Sequence, residues 1–215
     1  MLKKILISLG IIVVATGLTV GILYIVKQNN TEAPADEPTT DKVVLDLSKD
    51  YGACSMLDET AIKNSLGDVA ANLQGPQNMG IVGDVQRGEG TEDLKSDSQM
   101  CVFAFANGGT LENGYNSDNA LLVQKTKYTN ENGPASQIEQ IKKDPTASAV
   151  EGLGDSAFYT PNSVAQGPNA VFSFELVVFT GNERTSYMIR QPADKATFTD
   201  ETAKTALLSL EKSTK

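Results

Sequence analysis

The chain has 215 residues, 40% of them hydrophobic, and a formal net charge of −9, which suits one globular domain with its own core. It contains no histidine, and this excludes Ser-His-Asp and Cys-His catalysis as well as zinc sites that rely on imidazole. The acidic balance argues against nucleic acid or anionic lipid as a partner, because both carry negative charge.

The first predicted element is an uncharged stretch of 22 residues, Ile5–Val26, with Lys3 and Lys4 before it and Lys27 after it. As an α-helix it would span roughly 33 Å at about 1.5 Å per residue, and a bilayer core is about 30 Å thick. A cleaved signal peptide is the alternative, but its apolar segment is about 7–15 residues long and ends at a small-x-small site. This chain lacks such a site, so we predict that residues 1–27 are an uncleaved transmembrane signal anchor.

The charge distribution and the cysteines predict the topology. The lysine pair precedes the apolar stretch, as expected for a cytoplasmic N-terminus. Residues 28–215 carry 15 Lys+Arg against 27 Asp+Glu and contain both cysteines. We therefore expect a single-pass protein of the cell membrane whose C-terminal domain lies outside the cytoplasm.

Three glycines fall on one face of the predicted membrane helix: Gly17 and Gly21 form a G-x-x-x-G pattern, and Gly10 precedes them by seven residues. Small residues let two membrane helices approach closely, so the pattern predicts helix packing and a homodimer through this face. The alternative is that glycine is simply common in membrane helices.

Residues 28–42 have no apolar periodicity and are rich in Pro, Thr, Asn and acids, which is typical of a flexible linker. Residues 43–215 are then the extracytoplasmic domain, with Val43–Leu47 as a short first strand. A helix is predicted over Glu59–Leu66, with Asp58 as its N-cap and Gly67 as its C-cap.

The middle of the chain predicts strands separated by turns. The Gly-rich segment 75–98 predicts mostly loop with a strand near Ile81 and Val82, whereas Gln99–Ala106 and Ala120–Tyr128 alternate as strands do. Ser136 is the predicted cap of a short helix, Gln137–Lys143.

The C-terminal third predicts a strand within Val150–Tyr159 and a hairpin of Val171–Thr180 and Arg184–Arg190 around Gly181-Asn182. A last helix, Asp200–Lys212, follows a Thr199 cap, and its inward face consists of Ala203, Ala206, Leu207 and Leu210. This pattern predicts the α+β class: an antiparallel sheet with helices packed on one side, preceded by the single membrane helix.

The two cysteines, Cys54 and Cys101, are predicted to form a disulfide that holds the first helix on the sheet. The alternative is a redox or nucleophilic cysteine, but no histidine is present to activate a thiolate and no C-x-x-C spacing occurs.

Three short motifs match, in part, known catalytic, dinucleotide-binding or calcium-binding patterns. Ser209–Lys212 matches S-x-x-K, but the companion SDN and KTG motifs are missing. Gly152–Ala157 matches G-x-G-x-x-A, but it precedes an extended segment, so we predict a structural turn at Gly152, Gly154 and Asp155. Glu112–Asn119 has side-chain oxygens that could bind calcium, but their spacing does not match a calcium-binding loop. We therefore predict no metal, no cofactor and no catalytic residue.

Three segments together resemble small cell-envelope domains common in actinobacteria: Ala53–Thr60 with Leu66-Gly67, Ser98–Phe103 with its second cysteine, and the Gly-Leu-Gly-Asp-x-Ala-x-Tyr turn Gly152–Tyr159. Many such domains are lipoproteins of unknown function, and related-looking ones are extracellular sensors of membrane kinases. This chain is expected to differ in its membrane anchor, which replaces a lipidated cysteine, and in lacking a cytoplasmic signalling domain. The resemblance implies no catalytic residues.

Anchor, linker and cysteine pair together predict a non-catalytic domain that binds an envelope protein or a small ligand. One alternative is a cell-envelope hydrolase that uses carboxylate or Ser-Lys chemistry. The other is an accessory subunit of a membrane complex, assembled through the glycine face.

Overall fold

The computed structural model describes residues 50–82, 96–105, 118–164 and 170–214. These residues belong to one compact unit, Asp41–Lys215, and contain a seven-stranded antiparallel sheet and three α-helices. The α+β class predicted from the sequence is confirmed. The predicted membrane helix Ile5–Val26 and the linker 28–42 lie outside the described residues, as does the predicted strand Val43–Leu47.

In chain order, the elements are α1 (Glu59–Leu66), β1 (Gln74–Val82), β2 (Ser96–Ala104), β3 (Ala120–Tyr128), α2 (Gly133–Ile141), β4 (Ser148–Val150), β5 (Ser156–Val164), β6 (Val171–Thr180), β7 (Glu183–Pro192) and α3 (Asp200–Lys212). Short 3₁₀ turns follow α1 at Gly67–Ala70 and β7 at Ala193–Lys195.

The strand order in the sheet is β1-β2-β3-β7-β6-β5-β4. The β6–β7 hairpin inserts β7 beside β3, so that strands distant in sequence are neighbours at the centre. Ala120 at the start of β3 pairs with Arg190 near the end of β7. This pairing brings the end of β2, the start of β3 and the end of β7 together at one edge of the sheet, the edge formed by strand ends rather than by an outer strand.

Side chains alternate between the two faces of the sheet. On the first face, α1 and α3 cover a large apolar cluster that includes Ile62, Leu121, Leu176, Ile189 and Leu207, all with an exposed fraction of 0%. The amphipathic pattern of α3 explains its position, because the four residues predicted to face inward are all buried.

On the second face, α2 packs through Ile138 and Ile141 against a smaller cluster of Tyr128, Phe158, Val177 and Phe179. The prediction that all helices lie on one side of the sheet is therefore wrong. The physical reason lies in β6, where Val177 and Phe179 alternate with Leu176 and Val178. Both sets are apolar, so both faces need cover.

Helices α1 and α3 have the predicted bounds because their caps are local signals. Asp58 Oδ1 accepts a hydrogen bond from the Ala61 N–H at 2.7 Å, and Thr199 Oγ1 accepts one from the Thr202 N–H at 3.3 Å. Gly67 ends α1 with a φ of 62°, a conformation that favours glycine.

Several other predictions were wrong in their bounds: β2 begins at Ser96 rather than Gln99, and β5 extends to Val164, beyond the predicted Tyr159. Helix α2 begins at Gly133 rather than Gln137, with Pro134 in its first turn, so Ser136 lies inside the helix. Strand β1 occupies much of the segment predicted as loop, because pairing with β2 holds it in place despite two register shifts. Its Gly-Pro-rich sequence has no regular alternation from which a strand could be predicted.

Candidate binding site

A cavity of about 360 Å³ lies at the sheet edge where β2 ends and β3 begins. Six described residues line it: Val69, Phe105, Asn119, Gln191, Lys195 and Thr197. They come from the turn after α1, from the ends of three strands and from the segment that leads into α3. Small-molecule sites in proteins have volumes of about 300–1,000 Å³, so this cavity falls at the small end of that range.

Strand pairing places the two residues at the centre of this lining. Phe105 follows β2 directly and Asn119 precedes β3, and the Phe105 N–H donates to the Asn119 carbonyl at 3.0 Å. Phe105 is 1% exposed and Asn119 is 3% exposed. The Asn119 amide Nδ2 donates to the Phe105 carbonyl at 3.5 Å, a long contact that orients its carboxamide.

Gln191 is the most firmly held polar side chain in the lining. It is 3% exposed, and its Oε1 accepts hydrogen bonds from the backbone N–H groups of Thr197 at 3.0 Å and Phe198 at 3.3 Å. The Thr197 hydroxyl lies 3.4 Å from the same oxygen. These bonds fix the oxygen end of the carboxamide, so what Gln191 offers to other groups is its NH₂ end.

The lining combines apolar contact with hydrogen-bonding groups. Phe105 and Val69 supply apolar surface, and the carboxamides of Asn119 and Gln191 supply polar groups. Lys195 is the charged residue among the six, in a chain whose net charge is −9. Such a lining can bind and orient a small molecule, and none of these six described residues is a carboxylate.

The predicted disulfide is confirmed. Cys54 and Cys101 are bonded, with 5.1 Å between their Cα atoms, and Cys101 is fully buried in β2. Gln99, on the same face of β2, accepts hydrogen bonds at its Oε1 from the N–H groups of Tyr51 at 2.9 Å and Ala53 at 3.0 Å. The bond and this amide together fasten the segment before α1 to the sheet.

The predicted glycine turn docks against the end of the β6–β7 hairpin. Gly152 and Gly154 have φ values of 78° and 51°. The Asp155 N–H donates to the Phe179 carbonyl at 2.8 Å, and Asp155 Oδ2 accepts from the Gly181 N–H at 2.7 Å. A Cβ atom on Gly154 would collide with the Phe179 carbonyl, which explains a glycine at that position.

The tyrosine that ends this motif is held by α3. The Tyr159 hydroxyl donates to Asp200 Oδ1 at 2.6 Å, and Lys204 Nζ lies 5.3 Å from the centre of the ring. Burial first, and then the Asp200 carboxylate, raise the pKa of Tyr159 far above its ordinary value. Burial and Glu211 likewise raise the pKa of Tyr187 on the same face.

A polar cluster lies on the second face, on the two strands of the hairpin. Glu175 Oε1 accepts hydrogen bonds from the Ser186 hydroxyl at 2.5 Å and from Arg184 Nη2 at 3.0 Å. Both charged side chains are mostly buried, with exposed fractions of 23% and 20%. Ser186 itself is 3% exposed, so little of it is open to a substrate.

Several predicted features lie partly or wholly elsewhere. Gly10, Gly17 and Gly21 fall outside the described residues, as do residues 112–117 of the oxygen-rich loop. At the end of that loop, Asp118 Oδ1 forms an ion pair with Arg190 at 2.8 Å. Within the described ranges, no helix has the length and apolar composition needed to span a bilayer.

The serine of the S-x-x-K pattern is engaged in helix packing. The Ser65 hydroxyl on α1 donates to Ser209 Oγ on α3 at 2.9 Å. This contact joins the two helices on the first face, and it gives Ser209 a structural partner on the helix surface.

Gln191 was not predicted as a site residue, and Asn119 was named only as the last residue of the oxygen-rich stretch Glu112–Asn119. A usable signal was present for Gln191, because it continues the inward alternation of Tyr187 and Ile189 in β7 with an amide. A polar side chain at an inward-facing position must form hydrogen bonds, and such side chains often mark binding sites. For Asn119 the sequence contains no comparable signal, since the residue directly precedes its strand.

Comparisons with protein-family models, with curated proteins and with solved structures gave no match. The resemblance to small actinobacterial envelope domains therefore stays a prediction based on the three segments that suggested it.

Proposed function

We propose that this chain is a membrane-anchored domain of the cell envelope that binds a small ligand outside the cytoplasm, without catalysis. The observation that supports the proposal is the cavity formed by the ends of three strands, in which buried amides are held by backbone hydrogen bonds. A site whose polar groups are fixed before binding loses little conformational freedom when a ligand enters.

The location outside the cytoplasm rests on two further features. Ile5–Val26 has the length and composition of a membrane helix. The bond between Cys54 and Cys101 is of the kind that persists in oxidising compartments. Protease added to intact cells should therefore digest residues 43–215, and a domain that survives this treatment while cytoplasmic markers also survive would contradict the topology.

Ligand binding can be tested by identifying the small molecules that co-purify with the protein from the host membrane. We expect the full chain, extracted in mild detergent, to release a small molecule on denaturation that mass spectrometry detects. Thr197→Trp should abolish this co-purification, because an exposed position at the cavity would then carry an indole that fills it. Thr205→Trp, at an exposed position on α3, is the matched control. Identical contents in all three preparations would contradict ligand binding at this cavity.

The hydrolase alternative has one specific observation in its favour, the hydrogen bond from Ser186 to Glu175 on the second face. A serine beside a carboxylate can act as a nucleophile with its base. Ser186 lies on the second face, outside the cavity lining, which favours a structural role instead. A fluorophosphonate probe that labels the native chain, but not Ser186→Ala, would support the hydrolase and count against the proposed binding function.

A further inference from the structure

We propose that the ligand of the cavity carries an uncharged amide group whose N–H and C=O lie on the same side, as in a primary carboxamide or a lactam, next to an apolar group. This inference rests on the proposed binding function and adds the chemical class of the ligand. It follows from the alignment of Phe105, Asn119 and Gln191 across three strands, and from which end of each carboxamide is already bonded.

The register of the sheet places these three lining residues in one row. The pairing of β2 with β3 continues one step past its last ladder pair, where the Phe105 N–H donates to the Asn119 carbonyl at 3.0 Å. The ladder of β3 and β7 ends at Ala120 and Arg190, so Asn119 and Gln191 are the next opposed positions. Neighbouring strands are about 4.8 Å apart, so the two carboxamides lie side by side on the first face.

The two carboxamides of this row are bonded at opposite ends. Gln191 Oε1 accepts from the backbone N–H groups of Thr197 and Phe198 at 3.0 and 3.3 Å, whereas its Nε2 contacts the Thr197 hydroxyl at 3.3 Å. An amide nitrogen carries two hydrogens, so this contact leaves one N–H for a ligand. In Asn119 it is Nδ2 that is engaged, by the Phe105 carbonyl at 3.5 Å, and no residue in the described ranges donates to its Oδ1.

Gln191 therefore offers a hydrogen-bond donor, and Asn119 offers an acceptor one strand away. A single amide group satisfies both, because its carbonyl oxygen accepts from Gln191 while its N–H donates to Asn119, with each bond about 2.9 Å long. Both side chains are only 3% exposed, so a ligand that fills the cavity and leaves either one unpaired binds more weakly. Ketones, esters and carboxylates lack the N–H that Asn119 requires.

The arrangement of the ligand's amide follows from the same row. Asn119 and Gln191 are neighbours on one face, so they contact the ligand from the same side. A primary carboxamide or a lactam has an N–H and a C=O on one side, whereas in a trans peptide bond the two groups point in opposite directions. Phe105, the next residue in the row, then contacts the apolar part of the molecule.

Matched probes for this inference are 3-phenylpropanamide and 4-phenylbutan-2-one, which have the same number of non-hydrogen atoms and differ in an NH₂ group against a methyl group. Both suit a cavity of about 360 Å³, the liquid volume of about a dozen waters. We expect the amide to bind the full chain in nanodiscs about tenfold more tightly than the ketone, because the ketone leaves Asn119 Oδ1 unpaired. Ligand-observed NMR titration measures both affinities, with empty nanodiscs as the blank.

Two substitutions separate the two hydrogen bonds. Asn119→Leu removes the acceptor, so the affinity for the amide should fall to that for the ketone, and the ketone should bind as before. Gln191→Glu keeps an oxygen for the N–H groups of Thr197 and Phe198 but replaces the donor with a second oxygen, so it should weaken both probes about tenfold. Asn132→Leu is the matched control, because Asn132 is exposed, precedes α2 on the second face and should affect neither probe.

Equal affinity of the native chain for the amide and the ketone would overturn the amide class while leaving ligand binding intact, and this comparison needs no variant to fold. A preference for the amide that survives Asn119→Leu would overturn it as well, as would binding of neither probe. In each case the co-purification experiment with Thr197→Trp decides the proposed function separately.

Discussion

On the first face of the sheet, α1 and α3 cover one apolar cluster, and a disulfide joins the segment before α1 to the strand beneath it. On the second face, α2 covers four buried side chains, and a separate cluster of Val102, Ala120 and Leu122 lies among three methionines. In the β6–β7 ladder, Glu175 lies opposite Met188 of the methionine-lined cluster, and Ser186 lies opposite Val177 of the α2 cluster. The polar side chains of Glu175 and Ser186 therefore lie where these two clusters meet.

The two faces therefore contribute unequally to the stability of the domain. The larger continuous apolar cluster stabilises the first face strongly, whereas the second face combines smaller clusters with a mostly buried ion pair. The cavity lies at the edge of the first face, where the ends of β2, β3 and β7 meet. Hydrogen bonds to the backbone hold the oxygen of its Gln191 side chain in place.

The largest effect should come from the covalent link on the first face. Replacing both Cys54 and Cys101 with alanine opens a loop with a sequence separation of 47 residues. The free energy of unfolding should fall by about 4 kcal/mol in the chain-entropy treatment. Urea denaturation of the two proteins measures this change. A loss below about 1 kcal/mol would mean that Gln99 and the apolar contacts alone hold the segment.

A matched pair of leucines tests the two faces directly. Leu207→Ala on the first face removes a fully buried side chain, and Leu122→Ala on the second face removes one that is 8% exposed. We expect losses of about 3 and about 2 kcal/mol in urea denaturation, because the first site is more tightly enclosed. Equal losses would contradict the difference between the faces.

The glycine turn offers a second matched pair. Gly154→Ala should cost about 3 kcal/mol, because the new Cβ meets the Phe179 carbonyl and lies 2.8 Å from Thr180 Oγ1. Gly152→Ala has nothing within 4 Å of its Cβ and should cost only about 1 kcal/mol for its positive φ. The difference in unfolding free energy separates backbone strain from steric conflict. If the two variants were equally stable, the docking of this turn on the hairpin would be wrong.

The ion pair on the second face should contribute less. Glu175→Gln leaves Arg184 without its carboxylate, and we expect a loss of about 1–2 kcal/mol. Glu183→Gln on the same hairpin is the control, because Glu183 lies 3.8 Å from Lys125 and is 46% exposed. It should change the stability by about 0.5 kcal/mol or less. Both values come from the same denaturation measurement.

The smallest effect concerns alkaline stability. The pKa of Tyr159 is raised in the fold, so its stabilising contribution is present below the unfolded value of about 10 and decreases as the pH rises above it. Between pH 8 and pH 10.5 the native chain should lose about 1 kcal/mol more than Tyr159→Phe. Urea midpoints at the two pH values test this. Equal losses would show that the hydroxyl titrates normally.

Local chemistry made part of this fold predictable. The caps Asp58 and Thr199, the turn at Gly181-Asn182 and the alternation in β3 each act over a few residues, and the corresponding elements were predicted correctly. The start of α2 was missed because Pro134 is as suitable for a first turn as for a loop. Strand β1 was missed because its neighbour, rather than its own sequence, makes it a strand.

The candidate site was largely beyond prediction for a related reason. Its residues come from four separate segments, and only the pairing of β3 with β7 brings Asn119 and Gln191 to one edge of the sheet. That pairing follows from the order of strands, which no local pattern encodes. The disulfide was predictable because the chain has only two cysteines, which allow a single intramolecular pairing.

The position of the disulfide also determines how the domain would respond to a mechanical pull. A force applied to the chain before Asp50 passes through Cys54 and the sulfur bridge to Cys101, and from there into β2. Residues 55–100, which include α1 and β1, lie outside this covalent path. Drag on a domain tethered at its N-terminus would therefore reach β2 through the sulfur bridge without passing along the backbone of α1 and β1.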